Sequence, residues 1–229
     1  MPPIAIFAER MEQAVIFDMG GVLAHEAWGR ARLAEFDAML GQERGSLVQL
    51  LFSGPAWEAY STGELSPESY WAQTGAPLEK YLPHDFRHFQ DNFWGAELDL
   101  ATVLLARRLR SRYRIALLSN ASPFLPKGLL QEPHLHDLFD RVIISAYVGM
   151  RKPDPDIFHY ACRLLALPPS ACILVDDKIR NTMAAESLGM KAVVHTNALE
   201  TERALRALGI ALTTWPDAPR PNPTTRRWR

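Results

Sequence analysis

The stretch Val15–Ala24, reading V-I-F-D-M-G-G-V-L-A, constrains this chain more than any other. A short apolar run stops abruptly at Asp18, and Gly20 and Gly21 follow almost at once. An apolar run of that length closed by a turn signal reads as a buried parallel strand. Asp18 then stands at the strand's carboxyl end, where open parallel sheets gather their ligands. The glycines let the backbone turn tightly and approach whatever binds there. Three later stretches also end apolar runs in polar residues: Leu117-Leu118-Ser119-Asn120, Gly149-Met150-Arg151-Lys152-Pro153 and Leu174-Val175-Asp176-Asp177. They read as the other walls of one site, each at a strand end.

The order of elements supports that sheet. Leu98, Ala101, Leu105 and Leu109 share one helical face. After them strands are expected at Arg114–Leu118, Arg141–Ser145, Ala171–Val175 and Lys191–His195. Helices are expected from Pro123 to Leu130, Pro153 to Ala166 (Ile157, Ala161, Leu164 and Leu165 inward), Lys178 to Leu188 and Leu199 to Leu208. Gly189 and Gly209 stop the last two. Strands alternating with helices indicate crossover connections and a parallel sheet of about five strands with helices on both faces. Between the first strand and this alternation, residues 25–95 read as helices alone. Expected there are Trp28–Leu40, Leu47–Phe52, one opened by Ser66 as N-cap with Pro67 in its first turn, and Asp85–Trp94. Trp28, Trp57, Trp71 and Trp94 are expected to fill the core of this insert. The fold class is therefore α/β, a Rossmann-like parallel sheet with an inserted all-helical domain. The core covers 14–24 plus 96–213, the insert 25–95, and a flexible Pro- and Arg-rich tail 214–229.

Composition narrows the class of function. With 229 residues, 48% of them hydrophobic, the chain can bury a sizeable core. A net charge of -1 leaves no broad basic footprint for nucleic acid or membrane. Cys162 and Cys172 fall in a helix and a strand and read as buried thiols. No segment reads as a secretory signal or a membrane span, so a cytoplasmic enzyme is expected. No oligomeric state follows from the pattern.

Asp18, Asp176 and Asp177 converge if the strand assignments hold. Clustered acidic oxygens repel unless a cation joins them, and hard oxygen donors suit Mg²⁺. The carbonyl of Gly20 adds a further oxygen. Ser119, Asn120, Lys152 and the loop N–H groups of Gly20 and Gly21 suit a phosphate. A carboxylate nucleophile, Mg²⁺ and a phosphate cradle together point to phosphoryl transfer through an aspartyl-phosphate. Each motif alone has an ordinary structural reading; the specificity lies in all four, in this order.

In these motifs the chain resembles the haloacid dehalogenase-like hydrolases, in the branch with a helical cap after the first strand. The likeness runs from Ala14 to about Gly209. It implies Asp18 as nucleophile, Ser119 and Lys152 as further catalytic groups, Asp176 and Asp177 as the acidic pair for Mg²⁺, and a cap that closes over Asp18 and selects substrate. The D-x-G-G-V motif, Gly63-Glu64-Leu65-Ser66 and G-M-R-K-P are similar to a subgroup that includes glucose-1-phosphate phosphatases. A small phosphorylated metabolite, a sugar phosphate among the candidates, is the implied substrate. One position departs: phosphatases of this family usually carry a second Asp two residues after the nucleophile, and here Gly20 stands there. Positioned acid–base catalysis is commonly worth about 10²- to 10⁴-fold. Two accounts offset its loss: substrates with good leaving groups, or proton donation by His25. With Glu26 and Trp28, His25 is also expected at the pocket's flap. The alternatives are a dehalogenase, whose fourth motif lacks this acidic pair, and a catalytically impaired phosphate-binding protein.

Overall fold

The computed structural model describes residues 12–25, 27–75, 97–123 and 132–212. The expected helices over Asp85–Trp94 and beyond Pro123, the leading residues 1–11, the tail from 213, and the side chains of Glu26, Trp28 and Trp94 lie outside them.

Five strands form one sheet: β1 (Ala14–Phe17), β2 (Arg114–Ser119), β3 (Arg141–Ile144), β4 (Cys172–Asp176) and β5 (Lys191–Val194). Every pairing is parallel, in the order β3-β2-β1-β4-β5. Parallel pairing demands crossovers, and α5 (Leu100–Leu109), α7 (Pro155–Leu165) and α8 (Ile179–Ser187) lie within them, while α9 (Ala198–Ala207) follows β5 and packs back on the sheet. Alternate strand residues face opposite layers. Val15, Phe17, Ile115, Leu117, Ile173 and Val175 pack with Val103, Leu105 and Leu109 of α5 and Leu205 of α9. Ala14, Ile16, Ala116, Leu118 and Leu174 pack with Ile157, Phe158 and Ala161 of α7 and Ala185 of α8. Cys162 and Cys172 are buried free thiols in this second layer, as expected.

Between β1 and α5 the described chain is helical: α1 (Ala27–Met39), α2 (Ser46–Phe52), α3 (Gly54–Ser61) and α4 (Pro67–Thr74). Leu33, Phe36, Leu47 and Leu51 form its core, with Trp71 against it. Buried Asp37 fixes the turn into α2 by accepting from the N–H groups of Gly45 (2.7 Å) and Leu47 (2.9 Å). Trp57 packs edge-on against Phe52, Tyr60 and Tyr70. Trp57 and Trp71 thus fill the insert, as the composition suggested. Ser66 caps α4, its side chain accepting from the Ser69 N–H.

Three local expectations change. Between the expected Leu47–Phe52 and Ser66 helices a further helix, α3, opens at Gly54-Pro55, because proline is compatible with a helix's first turn. The face of α5 is rotated: Leu98 precedes the helix in a bridge to Ala24, and Ala101 is exposed, while Thr102, Val103, Leu105, Ala106 and Leu109 are buried. Asp99 caps that helix by accepting from the Thr102 N–H, which shifts its start past Leu98. A single helical turn, α6 (Ser145–Val148), separates β3 from the Lys152 loop, so Lys152 does not follow a strand end directly.

The chain leaves and re-enters the sheet through one narrow pair of connections. The His25 N–H donates to the Glu97 carbonyl (2.8 Å), and the Asp99 N–H donates to Leu23 (3.0 Å). Among the described residues no helix is long and apolar enough to cross a membrane.

Candidate active site

The carboxyl ends of β1 and β4 lie side by side, and the sequence places an aspartate at each. The Asp18 N–H donates to the Val175 carbonyl (2.9 Å), continuing the β1–β4 pairing and fixing Asp18 next to Asp176. Lys152 reaches between them. Its Nζ lies 3.0 Å from Asp18 Oδ1 and donates to Asp176 Oδ2 at 2.6 Å. The ammonium is deeply buried, with Lys152 1% exposed, Asp18 4% and Asp176 0%. A buried charge is tolerated when paired and hydrogen-bonded, and here one cation meets two carboxylates.

The two carboxylates are not equivalent. Asp18 Oδ1 also accepts from the Met19 N–H (2.7 Å). Asp176 accepts, besides Lys152, from the Lys178 N–H (2.9 Å) and Asn181 Nδ2 (2.8 Å), both on Oδ1. Burial pushes Asp18 up to about 6, aided by the charge of Asp176 and opposed by Lys152. Burial also works against Asp176, but Lys152, the Lys178 N–H and Asn181 together hold it below the usual carboxylate range. Lys152 is raised: burial disfavours its charge, and Asp18 and Asp176 outweigh that. Asp176 is thus the fixed anchor of the lysine, and Asp18 the less stabilised, more basic carboxylate.

Asp177 completes an acidic triplet. One ligand oxygen from each of Asp18, Asp176 and Asp177 lies within 4.8 Å of the others. Gly21 makes room for it. Its φ is +77°, and a Cβ there would stand 2.7 Å from Asp177 Oδ2, so a larger residue would be strained and would displace the carboxylate. Three hard oxygen donors on a desolvated edge, with burial and mutual repulsion raising Asp18, are the environment a small divalent cation relieves. The residues present therefore fit Mg²⁺.

Several expected site residues take other positions. Ser119 ends β2, beside β1, as expected, and it is buried. Asn120, expected to cradle substrate, instead clamps Lys152. Its Nδ2 donates to the Lys152 carbonyl (2.7 Å), and its Oδ1 accepts from the Lys152 N–H (2.8 Å). Both ends of the amide bind one peptide unit, which aims the lysine. Gly21, expected to offer an N–H to phosphate, donates it to the Ala24 carbonyl (2.9 Å) and closes the flap turn. Gly20 bridges Ala24 in the same turn. His25 is exposed at the insert's connection, and its charge bears on His195. The structure also adds Asn181, unnoticed in the sequence although it lies five residues past Asp176, in the first turn of α8.

Comparison with known proteins agrees with this fold. The family model for haloacid dehalogenase-like hydrolases matches residues 12–189. A sesquiterpene phosphatase of Aspergillus oryzae is 28% identical over 86% of this chain and 96% of its own length. A D-ribitol-5-phosphate phosphatase of Bacteroides thetaiotaomicron is 24% identical over 86% of this chain and 98% of its own. Among solved structures, a Bacteroides thetaiotaomicron enzyme in complex with magnesium and inorganic phosphate superposes with a TM-score of 0.62. It is 18% identical, over 81% of this chain and 94% of that one.

Proposed function

The chain belongs to the haloacid dehalogenase-like hydrolase family, and from that premise we propose that it is a Mg²⁺-dependent phosphatase of small phosphorylated metabolites. The observation that carries this reading is the buried Lys152 ammonium bridging Asp18 and Asp176 beside Asp177. In this reading residues 25–95 form a cap over a core of 14–24 plus 96–213.

Asp18 is the nucleophile. Met19 N–H and Lys152 hold its Oδ1, presenting Oδ2 to phosphorus; attack forms an aspartyl-phosphate as the bond from phosphorus to the leaving oxygen breaks, that oxygen takes a proton from solvent or His25 and departs as the alcohol, and water then hydrolyses the acyl-phosphate to inorganic phosphate and the free Asp18 carboxylate. Asp18, Asp177 and the Gly20 carbonyl would hold Mg²⁺, with Asp176 the weaker candidate because its oxygens already accept from three donors. When bound, the metal supplies positive charge for the phosphoryl oxygens. Ser119 and Lys152 supply a hydroxyl and an ammonium to the same oxygens. Asn120 acts at one remove, by fixing the Lys152 peptide.

No carboxyl stands at Gly20 to protonate the leaving oxygen, so substrates that depart with less proton help, such as anomeric or acyl phosphates, are turned over fastest. Two relatives carry names for phosphates of other alcohols, which makes the ranking informative. The test is phosphate release from p-nitrophenyl phosphate, acetyl phosphate, sugar 1- and 6-phosphates, ribitol 5-phosphate and farnesyl phosphate, with Mg²⁺ and with EDTA. Mg²⁺-dependent release supports the phosphatase. Metal-independent halide release from 2-haloacids instead would overturn it. Equal rates for alkyl and anomeric phosphates would sink the leaving-group reading. An unchanged pH–rate profile in His25→Ala would exclude His25 as proton donor.

A further inference from the structure

The helical insert touches the catalytic half of the molecule at a second place, far in sequence from its two connections. Glu58 on α3 lies 3.2 Å from Arg151 Nη1. Arg151 immediately precedes Lys152, in the loop whose peptide Asn120 clamps. One turn beyond Glu58, Gly63 sits directly on the main chain of α6. Its φ is +77°, and a Cβ there would stand 2.3 Å from the Ala146 carbonyl oxygen. Among the described residues the insert therefore bears on the segment running from α6 to Lys152 through an ion pair and a backbone seat.

We propose that the Glu58–Arg151 pair is the latch that holds the insert docked over the active site, and that Glu58 is a positioning residue for turnover. The Arg151 side chain is 21% exposed, that of Glu58 64%. Burial holds the Arg151 guanidinium below its ordinary value; Glu58 opposes this only in part, and Arg180 adds to it. The pair is thus weak enough to open between turnovers yet placed where its closure is felt one residue from the catalytic ammonium. An exposed ion pair is commonly worth a few-fold in an equilibrium, which suits a contact that must form and break.

The kinetic half of this proposal rests on the phosphatase reading; the docking half does not. The experiment measures hydrogen exchange over residues 62–65 and 145–151 together with p-nitrophenyl phosphate turnover, in wild type, Glu58→Gln, Glu58→Asp, Arg151→Gln and the double Gln variant. The expected result is that Glu58→Gln raises exchange in both segments by about threefold and lowers kcat/KM by a similar factor. The Mg²⁺ concentration for half-maximal rate should stay unchanged, because the three carboxylates are untouched. Glu58→Asp should recover part of both losses. The double variant should be no worse than Arg151→Gln alone, as expected of two residues acting through each other. Unchanged exchange in Glu58→Gln overturns the latch, whatever the rate does. So do losses that multiply in the double variant, or a shifted Mg²⁺ requirement. If wild type releases no phosphate, the phosphatase reading fails, and the exchange arm still decides whether the latch exists.

Discussion

The catalytic edge of the sheet and the helical insert are held by different physics. At the sheet edge, Lys152, Asp18 and Asp176 are nearly sealed from water and joined at 2.6 and 3.0 Å. Asn120 and Asn181 fix the lysine and its anchor from behind. Among the described residues the insert meets that edge through a half-exposed ion pair and a glycine seat. The first arrangement preorganises charge, which is what accelerates a phosphoryl transfer. The second can open and close at small cost, which is what admission of substrate needs. The difference predicts that damage at the edge is severe and specific to chemistry, and that damage at the insert is mild and felt as altered docking.

The largest effect should come from the nucleophile. Asp18→Asn is expected to lower kcat by at least about 10³-fold, while thermal unfolding shows no loss of stability, since a buried charge is removed and the site keeps its shape. A marked fall in Tm would mean that Asp18 is chiefly structural and would blur the contrast. Next, Lys152→Met leaves two buried carboxylates facing each other. Removing one partner of a buried ion pair costs about 3–5 kcal/mol, read by urea unfolding of the metal-free protein, and activity should vanish with it. Asn120→Ala should cost about 1–3 kcal/mol, for two main-chain groups of Lys152 left without their partner. It should reduce kcat more than it changes KM, because the lysine is misaimed rather than lost.

The smallest effect is a titration beside the catalytic pair, at a residue whose N–H donates to the Asp176 carbonyl (2.9 Å). His195 is buried, and its Nδ1 lies 2.8 Å from Thr201 Oγ1. Burial first, with the charge of His25, lowers its pKa against the pull of Asp99. The folded chain therefore binds this proton more weakly than the unfolded chain. Stability should be full above the unfolded value of about 6.5 and decline as pH falls below it. His195→Gln should flatten the slope of urea midpoint against pH in that window; an unchanged slope would assign it to other groups.

The same contrast governs what could be read in advance. Strand ends announce themselves because a buried parallel strand must be apolar throughout and its ligand-bearing end must not be. So β1, β2 and β4 were legible with Asp18, Ser119 and Asp176 at their ends. What the sequence hid is cross-chain. Asn120 looked like a phosphate ligand because its neighbour Ser119 did, and nothing local shows that its amide reaches Lys152 across 32 positions. Asn181 was obscured by the helix pattern it sits in. The helix α3 was not expected because it opens on Gly54-Pro55, and the residues that stop helices also start them. The Glu58–Arg151 pair joins a helix of the insert to a loop of the sheet domain, and charge pattern alone could not have matched them. The residues themselves carried the motifs and the family resemblance their roles; the structure supplied how each side chain is held.

The most direct test of the central claim is the intact mass of acid-quenched enzyme shortly after mixing with acetyl phosphate and Mg²⁺. Asp18 as nucleophile predicts a fraction of the protein heavier by one phosphoryl group, localised by fragmentation to the peptide containing Asp18 and absent from Asp18→Asn. Phosphate release at full rate with no such adduct, or an adduct that persists in Asp18→Asn, would contradict it.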